Sequence, residues 1–136
     1  MIVVDTNVLI YYFVNSNKSP TAVDLFARDP VWVAPFLWRS EFRSTVLLYL
    51  RKELLSFPQV LQIVQAAESL MVDREFYLPA TEILQLAQNS SCSAYDCEYV
   101  ALAKEMGVAL VTEDRQILRE FPETAVSMAG FLANGS

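Results

Sequence analysis

Four carboxylates stand where an apolar chain would not place them without a reason. Asp5 interrupts "MIVVDTNVLIYYF", between a hydrophobic start and a second apolar run. An ionised carboxylate at a buried strand end is unfavourable unless something pairs with it. Asp114 lies in "VALVTEDRQIL", two or three residues beyond another apolar run. Glu41, in "PFLWRSEFRSTVLLYL", shares a helical face with Leu37, Trp38, Thr45 and Leu48, where an acid should be paired or bound. Asp96, in "SSCSAYDCEYVALAKEMG", borders Tyr99, Val100 and Ala103 on a face expected to pack inward.

Each acid also has a structural explanation. Asp5 and Asp114 can cap the helices that follow them. Ser93 to Asp96 fits a capping box, and Glu41 can pair with a buried arginine. Their combination has a different consequence. Four acids at one site would repel by about 4 kcal/mol per close pair at an effective dielectric near 20. A divalent cation removes that conflict, and ligation by carboxylates alone favours Mg²⁺ or Mn²⁺ over zinc.

Composition narrows the chemistry further. The chain of 136 residues has no histidine, which excludes serine–histidine triads, cysteine–histidine pairs and histidine-based ribonuclease chemistry. Cys92 and Cys97 are the only cysteines, and their spacing does not form a zinc knuckle. The net charge of −6 argues against binding nucleic acid through a broadly basic surface, although metal-holding acids would contribute to it. With 54% hydrophobic residues, no membrane-length apolar run and no secretory leader, the expectation is a reduced, cytoplasmic globular protein.

The acids must be positioned by alternating strands and helices. Strands are expected at Ile2–Asp5, Val31–Ala34, in "EFYLPA", in "VALVT" and, as an edge, in "AVSM". Helices are expected after the first strand to Tyr12, from a Ser19 cap to Arg28, from Pro35 through Glu53, and from Pro58 to Met71. Further helices run from Pro79 to Asn89, Ala94 to Met106 with Gly107 as the stop, and Arg115 to Phe121, with a last helical turn at the end. The pattern predicts an α/β fold, a three-layer α/β/α sandwich around a mostly parallel sheet. One domain spans 1–133, with a short tail at 134–136. Ligands collect beyond the carboxyl ends of such strands, where Asp5 and Asp114 fall.

In order along the chain, "VVDTNVLI", the glutamate of "LWRSEFRSTV", "SAYDCEYVALAKEMG" and "LVTEDRQIL" resemble the motifs of PIN domains, most closely the VapC-like toxin ribonucleases of prokaryotic toxin–antitoxin pairs. The resemblance spans essentially the whole chain. It implies that Asp5, Glu41, Asp96 and Asp114 are the catalytic acids, with Asp5, Asp96 and Asp114 as metal ligands. Asn7 and Thr112 match the polar residues near the first and last acids, and are expected to orient ligands or substrate. It further implies a PIN-like sandwich, Mg²⁺ or Mn²⁺, cleavage of RNA, a homodimer and a cognate antitoxin protein. Glu98 and Glu113 are extra acids beside the motif positions.

For RNA to approach an acidic protein, a basic rim is expected from Arg39, Arg43, Arg51 and Lys52 on one helix and from Arg115 and Arg119 after the fourth acid, each also readable as an ordinary surface charge. Other readings remain. A PIN nuclease can process RNA without an antitoxin, and a non-catalytic domain could use the acids for a structural ion or for capping, with Tyr11, Tyr12, Phe13 and Trp38 as a partner surface. Phosphatase and receiver-domain readings fit poorly, because Asn7 stands where the former needs a second aspartate and no lysine follows the late strand.

Overall fold

The computed structural model describes residues 1–134, so residues 135 and 136 of the expected tail lie outside the described residues. Its centre is a sheet of five parallel strands: β1 Ile2–Val4, β2 Trp32–Pro35, β3 Glu75–Phe76, β4 Leu110–Val111 and β5 Ala125–Val126, in the order β3-β2-β1-β4-β5. Ile2 faces Trp32 and Val3 faces both Val33 and Leu110, so β1 is central and fully buried. That explains its unbroken apolar run. β5 is the edge strand the sequence suggests.

Among the described residues eight helices flank the sheet: α1 Thr6–Phe13, α2 Ser19–Arg28, α3 Trp38–Arg51, α4 Phe57–Met71, α5 Ala80–Gln88, α6 Ala94–Met106, α7 Arg115–Glu120 and α8 Met128–Ala133. One group interlocks through α1 with α2, α3 and α4, and through α2 with α8. A second group has α6 lying on β1, β2 and β4 with α5 packed against it. Right-handed crossovers account for the division: the chain steps outward from β1 to β2 and β3 with helices on one face, then crosses back to β4 and β5 with helices on the other. The layers are those of the expected α/β/α sandwich.

Local departures have physical causes. Pro35 ends β2 instead of opening α3. Ala34 and Phe36 donate their amides to Arg74 and Phe76 on the β3 side, so Pro35, alternate to them, faces the side where β1 has already ended and no donor is needed. α3 stops at Arg51, and Glu53 adopts φ of 58°, a left-handed conformation that breaks the helix. Ser19 lies inside α2 and is not its cap; its hydroxyl donates to the Tyr11 carbonyl at 2.6 Å and accepts the Ser16 amide at 2.9 Å. Ser56 and Gln59 form a capping box that starts α4, and Gly107 closes α6 at φ of 64°.

The buried stripe of α3 is Trp38, Phe42 and Val46, while Leu48 is exposed. Glu41 therefore sits on the flank of the stripe beside Thr45, not in its centre. Tyr12 packs edge-on against Phe13 and Trp32, and Trp38 against Phe42; Trp38 is buried in the core, while Tyr11, Tyr12 and Phe13 are half-buried against it. Cys92 and Cys97 are buried free thiols.

Candidate active site

The sheet reverses its direction of winding between β1 and β4, and the crevice beyond the carboxyl ends of these neighbouring strands is where an open parallel sheet holds ligands. Asp5 leaves β1 there and Asp114 follows β4. The buried polar residues among those described are Asp5, Thr6 and Thr112, all at these two strand ends. A pocket of about 330 Å³ opens above them, lined by Asp5, Asn7, Glu41, Asp96 and Asp114, with Thr6, Ile10, Tyr11, Thr45 and Tyr49. All four acids singled out in the sequence thus face one cavity.

Capping and clustering coexist. Asp5 is the N-cap of α1 and accepts the Thr6 amide at 2.8 Å. Asp114 caps α7, accepting the amides of Gln116 at 2.9 Å and Ile117 at 3.1 Å through one oxygen, Oδ1. Ser93 caps α6 and accepts the Asp96 amide at 3.0 Å, setting Asp96 in the first turn. The helix starts fix where the acids stand; the pocket is what they surround.

Thr112 is fully buried and joins the two strand ends. Its hydroxyl donates to Asp5 Oδ2 at 2.7 Å and accepts the Asp114 amide at 3.0 Å. Asn7 completes the frame, its amide nitrogen 3.4 Å from Asp5 Oδ2 and its oxygen accepting the Glu113 amide at 3.3 Å. Glu113 itself turns away, bonding Lys18 at 3.1 Å and the Met128 amide at 2.9 Å, which removes the ambiguity its position creates in the sequence. A second strap spans the loops: Ser91 bonds Glu120 and Gln116, linking the approach to α6 with α7, and so Asp96 with Asp114.

Glu41 is held by hydroxyls and not by arginine. Thr6 donates to its Oε1 at 2.9 Å and Tyr99 donates to the same oxygen at 2.6 Å. Thr6 and Tyr99 were not among the expected site residues. Their signal was present, since Thr6 lies inside the polar triplet after β1 and Tyr99 is one helical turn beyond Asp96 on the inward face.

The electrostatics show a site with unbalanced negative charge. Burial pushes the Asp5 carboxyl up to about 7 against the pull of the Thr112 and Thr6 hydrogen bonds, and the charges of Glu41 and Asp96 add to the rise. Asp96 is raised by burial and then by Asp114. Tyr99 is raised well above the usual phenol range, chiefly by burial, and so remains a neutral donor.

The donor set is hard oxygen throughout, which suits Mg²⁺ or Mn²⁺. Among the described residues no three acidic or thiol side chains converge as a closed ligand cluster. The acids ring the pocket, an arrangement that suits a small ion keeping several of its waters and taking only one or two carboxylates directly.

The basic residues distribute differently from expectation. Arg39 forks onto Glu75, with its Nη2 at 2.8 Å, and also reaches Glu68; Arg43 pairs with Glu68 at 3.3 Å. Neither lines the pocket. Arg51 and Lys52 are exposed at the far end of α3, whereas Arg115 is exposed immediately after Asp114 and Arg119 one turn later.

A family model described as "PIN domain" matches residues 2–123. The chain belongs to the PIN domain family. PIN domains are nucleases, and the four acids lining this pocket are those the motif order assigned. No curated protein sequence matches the chain. Solved structures share the fold. PAE2754 from Pyrobaculum aerophilum superposes with a TM-score of 0.78 at 18% identity, covering 98% of this chain and 87% of that one. FitAcB from Neisseria gonorrhoeae gives 0.73 at 19%, over 95% and 99%. A toxin–antitoxin complex from Klebsiella pneumoniae gives 0.69 at 19%, over 94% and 98%. At such identities the likeness is one of fold.

Proposed function

We propose that this PIN domain is a metal-dependent endoribonuclease that hydrolyses RNA phosphodiester bonds, acting as the toxin of a toxin–antitoxin pair. The observation that carries the nuclease reading is the single pocket at the β1–β4 crevice onto which Asp5, Glu41, Asp96 and Asp114 all open. Asp5, Asp96 and Asp114 would hold Mg²⁺ or Mn²⁺, one or two of them directly and the others through its waters, and the ion would supply Lewis acidity and a water of lowered pKa. Thr112 and Asn7 keep Asp5 and the Asp114 loop in place. Glu41 would contribute an oxygen to the ion or act as the base toward a water in the pocket. Arg115, exposed beside Asp114, is suited to contact the RNA backbone; Arg39 and Arg43, engaged with glutamates, are less available for it.

Water as nucleophile places the phosphate on the 5′ end of one product and leaves a 3′-hydroxyl on the other. End analysis of the products checks this, and a 2′,3′-cyclic phosphate would refute it, because that product requires attack by the RNA's own 2′-hydroxyl.

The toxin assignment with a cognate antitoxin is supported by the motif resemblance and by fold likeness to a toxin–antitoxin complex; the homodimer rests on the motif resemblance alone, and the cytoplasmic location on composition and cysteine usage. No described helix is long and apolar enough to cross a membrane. An RNA-processing PIN nuclease without an antitoxin shares the same site chemistry. Co-expression with the product of an adjacent small gene separates the two: suppression of cleavage by a stoichiometric complex is expected of a toxin.

A further inference from the structure

Glu41 enters the pocket from α3, a helix anchored in the core by Trp38, Phe42 and Val46. A glutamate has three side-chain torsions, and freezing them costs entropy that hydrogen bonds must offset. Three oxygens meet at this point: Thr6 Oγ1 and Tyr99 Oη lie 2.6 Å apart, and stand 2.9 Å and 2.6 Å from the same Glu41 oxygen, Oε1. Two hydroxyl protons serve these three contacts. With Tyr99 donating to Glu41, Thr6 satisfies the triangle either by donating to Tyr99 in a relay or by sharing Oε1. In both arrangements Oε1 is engaged from the protein side, and no described residue donates to Oε2. Tyr99 is 1% exposed and does not line the pocket, so its hydroxyl has no bulk water as an alternative partner, and Thr6 is 6% exposed at the pocket wall.

We infer that Tyr99, acting through the triangle with Thr6, is a positioning residue that locks the Glu41 carboxylate with Oε1 turned to the protein and Oε2 as the one oxygen presented to the pocket. Tyr99 also lies one turn beyond Asp96 on α6, so the clamp ties the α3 acid to the helix that carries another. The spacing between Glu41 and Asp96 then depends on a hydrogen bond and not on packing alone. The inference deepens the nuclease reading above and rests on it for its effect on cleavage, but the clamp itself is testable without metal or RNA.

The test is a double-mutant cycle on the intact chain with Tyr99→Phe and Glu41→Ala, read in two ways. In metal-free protein, urea denaturation is expected to show that Tyr99→Phe lowers the midpoint in the wild-type background and lowers it less than half as much when Glu41 is alanine. In RNA cleavage with Mn²⁺, Tyr99→Phe is expected to lower kcat roughly 10- to 100-fold with KM within a factor of two, because a misplaced group near the reacting atoms costs rate before it costs binding. In the Glu41→Ala background it should then cost nothing more. Thr6→Val, which removes the other hydroxyl, should reproduce the kcat loss.

Equal midpoint shifts in both backgrounds would overturn the clamp, since a merely structural tyrosine is indifferent to Glu41. Coupled stability with an unchanged kcat in Tyr99→Phe would overturn the positioning role while leaving the nuclease intact. A wild-type chain that cleaves no RNA but shows coupled stability would remove the nuclease reading and still support the clamp.

Discussion

Asp5 carries three hydrogen bonds and still has its carboxyl pushed up to about 7, because burial outweighs them and Glu41 and Asp96 stand nearby. In the unfolded chain the same group titrates near its ordinary 3.8, so between these values the folded state binds the proton more tightly. Stability of the metal-free protein should therefore fall as pH rises from about 4 to about 7, by up to about 4 kcal/mol from this residue. Urea midpoints at pH 5 and pH 8 check this. The wild type is expected to lose midpoint, Asp5→Asn to lose much less, and added Mn²⁺ to restore the wild type but not the variant. A wild-type midpoint flat across that range would show that Asp5 is not held against its charge. At this scale the sequence was legible where type and context conflicted: an acid inside an apolar run is visible without a structure. Thr6 and Tyr99 left only a weak signal, their places beside Asp5 and Asp96, because a threonine after a strand and a tyrosine on an inward helix face look like ordinary packing until Glu41 is placed between them.

The helices do the positioning, and two of the four acids serve them as caps. Asp114 makes the separation of roles measurable. Asparagine caps a helix about as well as aspartate, so Asp114→Asn should keep α7 and the thermal midpoint within a few degrees while weakening Mn²⁺ binding about 10-fold or more. Asp114→Ala loses the cap as well and should cost about 1 kcal/mol further. Calorimetric titration beside thermal melts reads both; equal Mn²⁺ affinity in wild type and Asp114→Asn would return Asp114 to capping alone. The elements themselves were largely legible, since the alternation of apolar runs with helical periodicity follows directly from a sheet covered on both faces. The misplacements came from residues with two uses. Pro35 suits a helix start and also a strand end whose neighbour has stopped, and Ser19 suits a cap but is occupied by Tyr11 and Ser16. Local chemistry is the same in both settings; only the neighbouring strand or turn decides.

Over the whole molecule, a net charge of −6 has to coexist with a polyanionic substrate. The structure takes Arg39 and Arg43 into ion pairs on the α3–α4 side, whereas Arg115, exposed directly after the pocket residue Asp114, makes no ion pair among the described residues, so a phosphate contact should concentrate there. Arg115→Glu is expected to weaken RNA binding several-fold and to flatten its salt dependence, while Arg43→Glu changes neither by as much; binding isotherms at two salt concentrations decide, and an unaltered Arg115→Glu isotherm would clear Arg115 of that role. That Asp5 and Asp114 fall beyond the carboxyl ends of their strands was legible in the sequence, but the pairing of β1 with β4 and which cations remained available were not, because strand order and ion pairing between α3, α4 and β3 depend on distances that no spacing in the sequence reveals.

Incubating end-labelled RNA with the purified protein and Mn²⁺, beside an EDTA control and Asp96→Asn, decides whether the four carboxylates at this crevice form a working nuclease site. Cleavage by the wild type that disappears in both controls is the predicted result. Cleavage that persists at the same rate in Asp96→Asn, or in EDTA, would mean that these carboxylates and their metal do not carry the reaction.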